Sequence, residues 1–132
     1  MSTYSNLSVE LIGTGEQDGT WGNTTNANLG TALEEAIVGT VSLAVGTGDT
    51  TLTWSVSSNA TQVARHLRLN LTGSAGGSGN LIIPTTAAGG ANTFTKSYII
   101  NNASNTAITV KTSGGSGVLV PAGKSSCVYA DG

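Results

Sequence analysis

From residue 40 onward, apolar residues alternate with polar or small ones in short runs, and this period of two constrains the fold more than any other feature. Successive side chains of a β-strand point to opposite faces, so each run predicts a strand with one buried face. Turns rich in Gly, Asn, Ser and Thr separate the runs. About eight such strands predict an antiparallel β-sandwich or jelly-roll-like domain over residues 40–132. The predicted core residues are Val41, Leu43, Leu52, Trp54, Leu67, Leu69, Ile108 and Val110.

Residues 1–39 carry a different pattern, which predicts an N-terminal arm followed by one short α-helix. A glycine-rich loop over residues 13–22 precedes the helix. Over residues 23–39 apolar residues recur at spacings of three and four, and Gly39 stands where a helix would end. The resulting apolar stripe consists of Leu29, Ala32, Leu33, Ala36 and Ile37. Such a stripe needs a packing surface, which is either the β-domain or a neighbouring subunit.

Composition excludes several classes of protein. Charged residues make up 9% of the chain, with five basic and seven acidic residues, so we expect no nucleic-acid binding. We also expect no membrane insertion, because no apolar run approaches the roughly 18 residues that a spanning helix needs. The single cysteine, Cys127, cannot form an internal disulfide or a zinc site and is expected to pack as a small buried residue.

The sequence offers no catalytic arrangement. Glu34 and Glu35 are adjacent on the predicted helix and point about 100° apart, so they cannot converge on one substrate. Glu16 and Asp18 supply too few oxygen ligands for a calcium ion. His66 is the only histidine that could activate a nucleophile. We therefore expect no enzyme activity, no metal and no cofactor.

The densest cationic group consists of Arg65, His66 and Arg68. Strand alternation would place His66 and Arg68 together on one polar face. That face is expected to be solvated or to lie between subunits, and it could alternatively bind an anion.

One segment resembles a known family. The run LIGTGEQDGTWGNTTNANLG at residues 11–30, continued by LEEAI at residues 33–37, resembles a segment common at the N-termini of tailed-bacteriophage tail fibres and related virion structural proteins. The runs LNLTG at residues 69–73 and YIINN at residues 98–102 are also similar to such proteins. The GTWGNTTN core at residues 19–26 is the most specific part. The resemblance implies a non-enzymatic component of a phage particle.

In detail, the resemblance implies the N-terminal tail-attachment part of a tail fibre, which docks to the tail and supports host adhesion. It further implies a homotrimer in the virion, made in the host bacterial cytoplasm. The expected partners are other phage tail or virion proteins and a host-surface receptor contacted through the C-terminal parts of the chain. The alternatives are a capsid decoration or cement protein, a tail adaptor, or a glycan- or receptor-binding β-sandwich. Residues 1–39 are expected to serve attachment and assembly, and the expected interface residues are Leu7, Val9, Leu11, Trp21, Leu29, Leu33 and Ile37.

Overall fold

The computed structural model describes residues 2–55, 57–73, 79–86 and 95–132. Within these ranges the protein is mainly β, with mixed sheets and a single helix. The helix runs without a break through an α-helical, a π-helical and a second α-helical segment. The elements of the N-terminal part are β1 (Thr3–Tyr4), β2 (Glu10–Leu11), α1 (Trp21–Ala27), the π-helical segment (Asn28–Leu33) and α2 (Glu34–Val38).

The strands that follow the helix are short, and a 3₁₀ turn (Val63–Arg65) interrupts them. They are β3 (Thr40–Ala44), β4 (Asp49–Thr51), β5 (Arg68–Thr72), β6 (Gly79–Ile83), β7 (Lys96–Asn102), β8 (Ile108–Thr112), β9 (Val118–Val120) and β10 (Ser125–Ala130).

These strands form two four-stranded sheets within the described residues. Sheet one has the order β10-β7-β5-β3, and sheet two has the order β4-β6-β8-β9. From β3 to β8 the chain alternates between the two sheets, so its path winds with one strand of each sheet in every turn. Residues that are paired between neighbouring turns are 28 to 31 positions apart in the sequence.

The predicted antiparallel arrangement is wrong for most strands of these sheets. The pairs β3–β5, β5–β7, β4–β6 and β6–β8 are parallel, whereas β8–β9 and β7–β10 are antiparallel. Alternation of apolar residues shows which face of a strand is buried but says nothing about strand direction. Direction depends on the order of the strands in the two sheets: a strand of sheet two lies between each pair of parallel neighbours of sheet one along the chain, and such neighbours need a crossover connection rather than a tight hairpin. The jelly-roll topology is not confirmed.

Side chains from both sheets meet in one hydrophobic core. Its main members are Leu69, Leu71, Tyr98 and Ile100 of sheet one and Leu81, Ile83, Ile108, Val110 and Val120 of sheet two. The predicted core residues Leu52, Trp54, Leu69, Ile108 and Val110 are confirmed as buried. Val41 and Leu43, on the edge strand β3, are half-buried and pack against the core. Leu67 is half-buried as well.

The predicted helix is confirmed with its start two residues earlier, at Trp21, and its end at Val38. Gly39 follows directly, although its backbone is extended rather than left-handed, with φ −65° and ψ 135°. Glycine is required there for lack of space, because an added Cβ would lie 2.5 Å from the carbonyl oxygen of Glu35.

Gly39→Ala is therefore expected to lower the free energy of unfolding by about 1–3 kcal/mol, since overpacking forces the backbone to move. The matched control is Gly30→Ala in the π-helical segment, where an added Cβ meets nothing within 4 Å. That change is expected to raise the free energy of unfolding by about 0.5–1 kcal/mol, because alanine loses less conformational entropy in a helix. Urea denaturation measures both, and equal effects would contradict the steric explanation.

Candidate functional site

The side of the helix that packs against the rest of the protein contains polar residues. Its buried residues are Asn28, Ala32 and Glu35, which share one face because they are four and three residues apart. The Asn28 side chain accepts a hydrogen bond from the backbone N–H of Glu10 at 2.9 Å and donates one to the Glu10 carbonyl at 2.8 Å. Asn28 thus pairs with the backbone of β2 as a neighbouring strand would, and it fixes the arm to the helix.

Arg65 is completely buried and joins three parts of the chain. Its Nε donates to the carbonyl of Leu7 in the arm at 3.1 Å, and its Nη1 donates to Glu35 Oε2 of the helix at 3.1 Å. Nη1 also donates to the carbonyl of Ala60 at 2.7 Å, and Nη2 donates to that of Ser58 at 2.7 Å. We call Arg65 and these four partners the arginine cluster. Every guanidinium nitrogen has a partner within the protein, so the cluster is structural.

Further groups surround the carboxylate of this cluster. Glu35 Oε2 accepts a hydrogen bond from the backbone N–H of Gln62 at 3.3 Å, and Glu35 Oε1 lies 3.9 Å from His66 Nε2. Burial lowers the pKa of Arg65, whereas the hydrogen bond and the charge of Glu35 act in the opposite direction. The Arg65 guanidinium also lies 5.6 Å from the centre of the Trp54 ring. The ion pair therefore sits in a largely water-free environment.

A second buried polar contact ties β7 to the loop that precedes β5. The Tyr98 hydroxyl donates to the carbonyl of Ala64, and burial raises the pKa of Tyr98. Lys96 Nζ lies 4.3 Å from the centre of the Tyr98 ring and donates to the carbonyls of His66 at 3.3 Å and Ser97 at 3.0 Å. Burial lowers the pKa of Lys96 to about 8. These contacts hold the loop against sheet one.

The structure corrects two expectations about single residues. Arg65 and His66 are buried, and only Arg68 lies within β5, so the predicted polar face shared by His66 and Arg68 is wrong. The strand begins at Arg68, and the residues before it form a 3₁₀ turn. Cys127 is exposed rather than buried, because β10 directs Val128 and Ala130 toward the core instead.

The predicted interface residues lie mostly at the surface. Leu29 is 57% exposed and Ile37 is 65% exposed, and Val38, which was not predicted, is also exposed. Leu29, Ile37 and the half-buried Leu33 are spaced four residues apart and lie on one side of the helix, which we call the outer helix stripe. Two interface candidates outside the stripe, Leu11 and Trp21, are exposed. The other two, Leu7 and Val9, are half-buried, and Leu7 packs against the core.

Comparisons with protein-family models, with curated proteins and with solved structures found no match to this chain. Among the described residues, no group of three or more His, Cys, Asp or Glu side chains could hold a metal ion. No helix in the described ranges has the length and apolar character needed to cross a membrane.

Proposed function

We propose that this chain is a structural component of a bacteriophage particle, and most directly the N-terminal tail-attachment part of a tail fibre. It acts without catalysis, docks to the tail, supports host adhesion and assembles as a homotrimer. Its two sheets form a β-sandwich body, and residues 1–39 form the attachment surface. The protein is made in the host bacterial cytoplasm and resides in the virion. The resemblance of residues 11–30 to phage virion proteins supports this proposal.

The observation that carries the proposal is which side of the helix is buried and which side is exposed. A helix on the surface of a monomer normally buries its apolar side and exposes its polar side. Here Asn28 and Glu35 are buried, whereas Leu29, Ile37 and Val38 are exposed. Full burial of one such apolar side chain contributes about 1.5–3 kcal/mol, so the outer helix stripe gains substantially when another surface covers it.

The stripe is also held rigidly, which suits a docking surface. Asn28 fixes the helix to the arm, and Glu35 fixes it to Arg65. Trp21 begins the helix and is exposed, and tryptophan is enriched among residues that dominate interface energies. A rigid surface loses little conformational entropy on binding. A capsid decoration protein or a tail adaptor would use the same surface at another position in the particle.

Ile37→Asp tests this function. We expect light scattering to give a mass of three chains for the wild-type protein. The variant should dissociate at protein concentrations at least about thirtyfold higher than the wild type does, because a central interface residue contributes about 2 kcal/mol or more to the free energy of association. The variant should also be missing from purified phage particles. Leu119→Asp on β9 is the matched control, because Leu119 is 59% exposed but lies on sheet two.

Two results would contradict the proposal. One is a wild-type chain that stays monomeric at every concentration and is absent from purified particles. The other is a loss of assembly in Leu119→Asp that equals the loss in Ile37→Asp. Electron cryomicroscopy of the particle separates a tail fibre from a decoration protein or a tail adaptor by the position of the chain.

A further inference from the structure

The two sheets differ in how their edge strands are protected. An edge strand presents unpaired backbone N–H and C=O groups, and proteins normally keep such an edge short or place charged residues or proline on it. Sheet two follows this rule, because β4 and β9 have three residues each, β4 contains Asp49, and Pro121 directly follows β9. The edge strands of sheet one, β3 and β10, have five and six residues and contain neither proline nor a charged residue. Sheet one therefore keeps two unprotected edges.

The backbone groups at both edges of sheet one are unpaired within the described residues. The Gly39 carbonyl and the Val45 N–H bond to β5, so strand alternation points the backbone groups of residues 40, 42 and 44 away from the sheet. At the other edge the Lys124 carbonyl bonds to β7, so the backbone groups of residues 125, 127 and 129 point away from the sheet. The side chains of all six edge residues are exposed, so another strand can approach either edge.

The two edges match each other in direction and in face. β3 is parallel to β7 through β5, and β10 is antiparallel to β7, so copies that stand side by side in one orientation bring β3 and β10 together as antiparallel neighbours. Val41, Leu43 and Val128 pack against the core, so the edge residues that alternate with them have their side chains on the outer face. Pairing these edges therefore keeps the core faces of both copies on the same side of the continued sheet.

A row of hydrogen-bonded side chains crosses the outer face of sheet one from edge to edge. Ser42, Asn70, Asn101 and Ser125 lie side by side on the four strands, and we call them the polar ladder. Ser125 Oγ donates to Asn101 Oδ1 at 2.8 Å, and Asn101 Nδ2 donates to Asn70 Oδ1. Asn70 Nδ2 then donates to Ser42 Oγ at 3.1 Å. The ladder thus ends in the hydroxyl donor of Ser42 at one edge and in the acceptor oxygen of Ser125 at the other.

We infer that sheet one continues from one copy of this chain into the next, with β3 of one copy paired antiparallel with β10 of its neighbour. Ser42 lies opposite Ser125 of the neighbour and Thr40 lies opposite Cys127, so each pair exchanges two backbone hydrogen bonds. The Ser42 hydroxyl donates to the neighbour's Ser125 Oγ, which joins the two polar ladders.

This contact joins two different edges, so it is a head-to-tail contact that closes into a ring when the rotation between copies allows it. The helix ends one residue before β3, so the outer helix stripe and the β3 edge are neighbours along the chain. The inference rests on the proposed function only for the number of copies, which is three.

The native Cys127 makes the register measurable by disulfide formation. Opposite Cα atoms of a hydrogen-bonded pair are about 5.5 Å apart, a distance that a disulfide spans. We expect Thr40→Cys, oxidised with glutathione disulfide, to give covalent dimers and trimers in non-reducing electrophoresis. Adding Cys127→Ser should abolish them. Ser42→Cys lies diagonal to Cys127 at about 7–8 Å and should give no more than about a tenth of the linked product.

Ser42→Pro tests the backbone pairing itself. Proline removes an N–H that faces the free edge and leaves the bonds between β3 and β5 in place. We expect the variant to dissociate at protein concentrations at least about tenfold higher than the wild type does, as measured by light scattering. Thr51→Pro is the matched control, because Leu52 N–H bonds to Ile82 and the N–H of Thr51 therefore faces the free edge of sheet two. It should associate as the wild type does, and circular dichroism checks that both variants fold.

Two results would overturn the inference while the homotrimer stands. The first is a trimeric wild type whose association is weakened equally by Ser42→Pro and Thr51→Pro. The second is faster linking in Ser42→Cys than in Thr40→Cys, which would contradict the register and the joined ladders. Covalent products longer than three chains in Thr40→Cys would support the edge pairing and contradict the homotrimer, so the two failures are distinguished.

Discussion

Arg65→Met is expected to lower the free energy of unfolding by about 3–5 kcal/mol, the range for removing one partner of a buried ion pair. Glu35 would keep its buried carboxylate without the cation 3.1 Å away. The carbonyls of Leu7, Ser58 and Ala60 would lose their donor as well. Urea denaturation followed by circular dichroism measures the change.

The matched control is Arg68→Met, because Arg68 is half-buried and forms no ion pair in the described part of the chain. Its effect should stay within about 0.5 kcal/mol, as for most surface substitutions. Arg65→Lys keeps the charge but supplies fewer donors in a different geometry, so its loss should be intermediate. A loss at Arg65 no larger than that at Arg68 would show that the arginine cluster does not hold the arm and helix in place.

Trp54→Ala is expected to lower the free energy of unfolding by about 3–5 kcal/mol, because it leaves a large cavity in the core. Trp54 is 2% exposed and belongs to the hydrophobic core. Its ring also faces the Arg65 guanidinium, so the losses in Trp54→Ala and Arg65→Met should not be additive. The midpoint of unfolding in urea, followed by circular dichroism, measures the effect without relying on tryptophan fluorescence.

Trp21→Ala makes the same substitution at a residue that is 60% exposed. In dilute protein, where no partner chain covers the helix, this control should change the free energy of unfolding by less than about 0.5 kcal/mol. Comparable losses at the two tryptophans would contradict the burial that distinguishes them.

The sequence by itself determined the features that depend on neighbouring residues. The spacing of apolar residues over 23–39 predicted the helix, and Gly39 predicted its end. The alternation of Ile108 and Val110 with polar residues in β8 predicted that both are buried, and they are. These predictions succeed because the periods of a helix and a strand are properties of the local backbone.

Only the tertiary structure decided strand direction, because a period of two is the same in parallel and antiparallel sheets. It also decided which side of the helix is buried. Asn28 and Glu35 are buried because they bond to the backbone of Glu10 and to the side chain of Arg65. These partners lie far away in the sequence, so the residue spacing within the helix could not predict the contacts. Backbone carbonyls accept most of the hydrogen bonds of Arg65, and a carbonyl is the same in every residue type.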